Sequence, residues 1–294
     1  MLTKKKRRIE FFDVVVYFIA VVLFAIVAYP LILVVSSSIS DPQLVSTGQI
    51  ILLPKKVTFA EYREILKNKD ILVGFVNSVF YMVLGTALDI FVTVPAGYVL
   101  TKTQLPGHKF FKFFFMFTMY FSGGIIPSFL LVKGMGLYDN RLVLIILGAF
   151  SMYNCIICRS FFSSMPKELE ESAAIDGCSV IGTFFRIILP LSKALLGVMV
   201  LYFAVQHWNS YFDAMIYIKD DSMQTLQVIL RRILVLAQQL AKADEAGEYA
   251  QQMANYEALI RYATIVVSSL PLMIAYPFVQ KYFDKGVMLG SVKG

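Results

Sequence analysis

Apolar and polar stretches alternate along the chain with a long period. Six apolar segments stand at about 11–35, 72–100, 110–132, 141–162, 191–218 and 260–282. A helix needs about 20 mainly apolar residues to cross a hydrocarbon layer about 30 Å thick. Backbone polar groups at that depth must be satisfied within the segment, so all six are expected to be helices. The first is too long to be a signal peptide and has no small-residue cleavage site. The pattern predicts an all-α membrane protein, residues 1–294 forming a single transmembrane domain. "SGGIIP" at 122–127 predicts a kink or local break in the third span. In the external loop 36–71, a strand-like patch at Ile50–Leu53 and a short helix near Ala60–Lys67 flank the break at Pro54. The external loop 219–259 contains "KADEAGEYAQQMANYEA", which reads as one or two surface helices.

Composition and charge fix the class and the orientation. The chain is 58% hydrophobic and only 16% charged, against about 25% charged in soluble domains. With six spans both termini share one side. That side carries fifteen of the 27 Lys and Arg residues, including Lys4 to Arg8, and seven acids. The other carries twelve bases and, apart from the in-span Asp89, twelve acids. The positive-inside rule therefore places both termini in the cytoplasm. The net charge of +7 reads as topology, since no basic stripe interleaved with aromatics marks a nucleic-acid surface. Cys155 and Cys158 form a C-x-x-C inside a predicted span, where a buried, inert pair is expected rather than a metal or redox site. Cys178, in a cytoplasmic turn, is expected to stay reduced.

One cytoplasmic segment, 163–190, departs from the basic rule. Pro166 suits a helix start. Glu168, Glu170 and Glu171 favour the positive end of the same helix. Gly177 supplies a left-handed stop, and Ser179 caps a second helix. Val180, Ile181, Phe184, Phe185 and Ile188 fall on one face, expected to lie against the spans. Pro190 is expected to break that helix before the fifth span.

The spacing here resembles a known signature. Permease subunits of ATP-binding-cassette importers carry Glu-Ala-Ala, three residues, Gly, nine residues, then Ile-x-Leu-Pro. This chain has Glu171-Ser172-Ala173, then Gly177, then Ile187-Ile188-Leu189-Pro190. Ser172 replaces one Ala and is still small. "FVNSVFYMV", "GLYDNRLVLI", "FFSSMPKELEESAAIDG" and "HWNSYFDAMIYI" look like the carbohydrate branch, near the second maltose permease. "LRRILV" and "YPFVQKYFDKGVMLGSVKG" look nearer to importers of uronate-containing oligosaccharides such as alginate and aldouronate fragments.

The resemblance implies the type I importer permease fold in the bacterial cytoplasmic (inner) membrane. It implies a second, homologous permease as heterodimer partner, two ATPase subunits that hold ATP and Mg, and an extracytoplasmic solute-binding protein. The chain lacks Gly-x-x-x-x-Gly-Lys-Ser/Thr, so no cofactor and no catalytic site are expected on it. Glu170, Glu171, Ser172, Ala173, Asp176, Gly177 and Pro190 are the implied ATPase-coupling residues, and Gly290, Ser291, Val292, Lys293 and Gly294 an implied tail contact. Polar residues inside spans are costly and usually face a cavity or another helix. Asn77, Asn154, Gln206, Trp208, Asn209, Tyr211 and Asp213 are candidates for lining a substrate path, with Asp89 and His207 beside them. Trp208 and Tyr211 suit either a sugar ring or the interfacial aromatic belt. A peptide or amino-acid permease of the same superfamily, or an ion-coupled secondary transporter, would share the span count; the second would not need the 171–190 signature.

Overall fold

In the computed structural model the described residues are 11–243, 260–274, 276 and 277, and no strand occurs among them. The expected surface helices at 244–259 and the tail Gly290–Gly294 lie outside that set. The chain divides into two compact units, 1–68 with 231–269, and 69–230 with 270–294.

In the first unit, α1 (Phe11–Ser38) buries only Ser36, Ser37 and Ser38 and carries its apolar side chains exposed. These serines peg the loop that follows. Ser36 Oγ donates to Leu52 O at 2.6 Å, Tyr62 Oη to Ser38 Oγ at 2.8 Å, and Lys55 N to Ser40 Oγ at 3.1 Å. The loop holds the short helices α2 (Pro42–Ser46) and α3 (Ala60–Lys67). The strand-like patch Ile50–Leu53 is a series of bends instead. An extended stretch with no neighbour to pair with has nothing to satisfy its backbone, and serine side chains do so here.

The second unit is built on α4 (Lys69–Val99), whose buried stripe is small and polar: Gly74, Asn77, Ser78, Gly85, Asp89, Thr93 and Gly97 are all in it. Val83, Leu84 and Phe91 face outward. This inversion suits a bilayer, where association rests on close backbone approach and interhelical hydrogen bonds. The third span is α5 (His108–Tyr120) and α6 (Ile125–Gly134), bent by 116° at Phe121–Gly124. The fourth is interrupted too: α7 (Leu142–Ile146) and α8 (Met152–Ser163) are separated by Leu147–Ser151, where Gly148 has φ +87° and Ser151 caps α8. Then come α9 (Glu168–Ile175) and α10 (Val180–Leu191), which contains a π-helical turn at Phe184–Ile188. The fifth span is α11 (Lys193–Trp208), a break at Asn209–Tyr211, and α12 (Phe212–Tyr217). A helix at Leu226–Ala243, α13, and another at Ile260–Ile274, α14, follow.

α11 and α8 pack on α4. One apolar cluster gathers Val94, Tyr98, Cys158, Phe162, Phe184, Ile188 and Met199 near the 99–107 end of α4. Another gathers Tyr81, Val132, Val143, Leu144 and Tyr217 towards its start. Cys155 and Cys158 are free and fully buried.

Candidate functional site

The signature segment folds as a helix, a tight turn and a second helix. α9 ends at Asp176, and Gly177 follows at φ +74°. Cys178 N donates to Ala173 O at 2.8 Å and Gly177 N to Ala174 O at 3.1 Å, the paired bonds of a Schellman stop. Ser179 then caps α10, its Oγ accepting from Gly182 N at 3.1 Å. Ala173 is buried, whereas Ser172 is exposed and turns its Oγ onto Glu168 O at 2.7 Å. A serine is therefore accommodated where the pattern has alanine.

α10 corrects two expectations. Only Phe184 and Ile188 are buried; Val180 and Ile181 are about 70% exposed (68% and 71%) and Phe185 is half exposed. Phe184 packs on Tyr98 and Phe162, whereas Val180 and Ile181 stand one turn earlier, beside the α9 corner, and are uncovered, so the five apolar residues do not form one buried face. The helix also runs through Pro190 to Leu191, and the 83° bend comes at Ser192, whose Oγ takes the Ile188 carbonyl at 2.7 Å. The turn between α9 and α10 therefore presents Glu171, Asp176 and Gly177 beside exposed Ile175, Val180 and Ile181.

Glu170 differs from its neighbour. It is ion-paired with Lys102, just past the end of α4, and Lys102 Nζ lies 4.5 Å over the Tyr98 ring. Both partners are a quarter to a third exposed, and pairs of that kind contribute only about 0.2–1 kcal/mol. Their weight is geometric. A recess of about 400 Å³ lies alongside, between the 101–104 turn and residues 162–171.

A second cavity, of about 190 Å³, is lined by Leu144, Leu147, Gln206, Asn209, Tyr211 and Asp213, with His207, Ser210 and Phe212 completing it. It lies where the fourth and fifth spans both lose helical structure. Irregular backbone at membrane depth is tolerated where it lines a cavity or is buried in protein. Behind it, His207 Nε2 and Asp89 Oδ2 are 2.8 Å apart, with side chains 4% and 0% exposed. The contact exists because position 85 is glycine: a Cβ there would lie 2.3 Å from the His207 ring.

Of the path candidates, Gln206, Asn209, Tyr211 and Asp213 meet at this cavity. Asn77 does not; its Nδ2 donates to Ser222 O and Gln224 O at 2.8 and 3.0 Å. Asn154 is buried in α8. Trp208 is fully buried, edge-on to Phe75 at 5.7 Å. Sequence reasoning missed Leu144, Leu147 and Ser210 as lining, and the Lys102–Glu170 pair. Gly148 beside the apolar run was the readable trace of the first two.

The family model "Binding-protein-dependent transport system inner membrane component" matches residues 71–289. The chain belongs to this family. Among Bacillus subtilis proteins it is 38% identical over 283 residues to the polygalacturonan/rhamnogalacturonan transport system permease protein YtcP, covering 96% of this chain and 98% of that one. It is also 38% identical to Protein LplC of the same organism over 270 residues, 92% and 90% of the two chains. Among solved structures it resembles a chain of a bacterial ABC transporter involved in the import of the acidic polysaccharide alginate. The TM-score there is 0.82 and the identity 32%, covering 96% of this chain and all of that one. As a family member it is a multi-pass inner-membrane permease component with the type I permease fold.

Proposed function

We propose that this chain forms half of the translocation pathway of an ATP-driven oligosaccharide importer, and that its cargo is an acidic, uronate-containing oligosaccharide. The relatives named for polygalacturonan, rhamnogalacturonan and alginate support the choice of cargo. A related but non-identical permease supplies the other half, and an extracytoplasmic binding protein delivers the sugar. Two ATPase subunits hold ATP and Mg, which supply the energy; both termini of this chain face them from the cytoplasm. The segment 165–180 docks on an ATPase subunit through Glu171, and the tail Gly290–Gly294 adds a second contact.

One observation carries the reading: the α9–α10 turn displays acids and large apolar side chains together, uncovered, on a rigid Schellman-closed corner. Exposed apolar patches rimmed by polar groups mark protein interfaces, and a helix packed on spans can transmit a displacement. The cavity at Gln206–Asp213 is the stretch of path this chain contributes.

Co-purification tests the assembly: pulling on this chain should bring a second permease and an ATPase. Glu171→Lys should release the ATPase or abolish its coupling while membrane insertion persists. Unaltered sugar-stimulated hydrolysis in that variant would count against docking. Uptake competition by oligogalacturonate, but not by peptides, separates the carbohydrate reading from a peptide permease.

A further inference from the structure

The two adjacent glutamates of α9 face different neighbours. Glu171 is exposed, whereas Glu170 is paired with Lys102. Lys102 belongs to a place where several elements are locked together. The Leu100 carbonyl, an orphan acceptor at the end of α4, takes Arg159 Nε of α8 at 3.0 Å and lies 3.1 Å from His108 Nε2 of α5. The Tyr98 ring beneath Lys102 packs on Phe162 of α8 and Phe184 of α10, with centroids 5.6 and 4.9 Å away. By contrast, α9 follows α8 through the non-helical residues Ser164–Lys167, beside a recess of about 400 Å³. At its far end α9 is held by the buried Ala173 and the Schellman turn to α10, so the contacts of Glu170 with Lys102 and Tyr98 are what join it directly to the end of α4.

We propose that Lys102 is a positioning residue. Through Glu170 it ties α9 to the end of α4, so displacement of α9 is delivered to α4 and not absorbed in the 164–167 joint. Glu171 is then the glutamate left for the outward grip. From Val99, the last residue of α4, back to Asp89 is about 15 Å at 1.5 Å per residue. Asp89 holds His207 of α11, which lines the Gln206–Asp213 cavity. A contiguous chain of contacts thus runs from the α9–α10 corner to the cavity wall and offers a route for coupling between them. The inference rests on reading α9 as the segment that the ATPase moves.

Spin labels at Gln104 and Glu168, with Cys178 replaced by Ser, report the spacing between α9 and the end of α4 by dipolar broadening. They are read in the complex with its ATPase subunits, with and without ATP. Strong broadening, the same in both states, is expected. Lys102→Met and Glu170→Gln should lose it or make it depend on ATP, and the reversed pair Lys102→Glu with Glu170→Lys should restore it. Unchanged broadening in Lys102→Met would overturn the proposal. So would failure of the reversed pair to restore it in complexes that retain their ATPase subunits. Glu171→Lys separates the two ideas: it should shed or uncouple the ATPase yet keep the broadening. If it keeps a fully coupled ATPase, the docking reading fails while the tie is still judged by the Lys102 variants.

Discussion

Asp89 and His207 show how strongly one buried pair constrains two spans. With both side chains enclosed, removing one partner leaves an uncompensated polar group, a loss of about 1–3 kcal/mol. Asp89→Ala should therefore lower the thermal midpoint of the detergent-solubilised protein markedly, and Asp89→Asn, which keeps the shape, much less. Gly85→Val should mimic the first by driving a side chain into the imidazole. Asp220 offers a test by pH. Its carboxylate accepts from Ser222 N at 2.8 Å, which holds its pKa below the ordinary 3.8. A depressed folded value means this contribution is present above about 3.8 and is lost as the pH falls through the lower folded value. The protection of the Ser222 amide against exchange, relative to its intrinsic rate at each pH, should fall only below about pH 4. Legibility at this scale was uneven. Among the in-span polar residues Asn77, Asp89, Asn154 and His207 are buried, whereas Gln206, Asn209 and Asp213 are exposed beside the cavity, and composition does not distinguish a cavity wall from a hydrogen-bond clamp. Asn77 proved to be a clamp on the 222–224 backbone because the polypeptide returns there 145 residues later.

At the level of elements, the α9–α10 corner was legible because its rules are local. Cap, turn glycine and first-turn acids all sit within 20 residues of one another. Gly177→Ala forces a Cβ into left-handed backbone at about 1–2 kcal/mol. The expected outcome is reduced ATP-driven transport at normal expression, measured as uptake into vesicles. α10 was misread because periodicity tells which residues share a face, not where along the helix a neighbour covers that face. The interrupted fourth and fifth spans were read as continuous because a window about 20 residues wide averages over breaks of five and three residues. "SGGIIP" was legible since two glycines and a proline together leave little alternative to a break.

At the scale of the whole molecule, the alternation of apolar and polar stretches revealed the class, and the signature spacing revealed the family. The cavity was not legible, because it arises where two separate interruptions come to the same level. If that cavity belongs to the path, Asn209→Cys in a Cys178→Ser background should react with a water-soluble maleimide at a rate that changes when ATP is supplied. A rate indifferent to nucleotide would remove it from the path. The 116° corner at Phe121–Gly124 has its own consequence. The first N–H groups of α6 have no carbonyl one turn back to accept them, and residues 121–126 are exposed on this chain. Acyl tails offer such amides nothing. At hydrocarbon depth that corner therefore needs water or protein against it, not lipid.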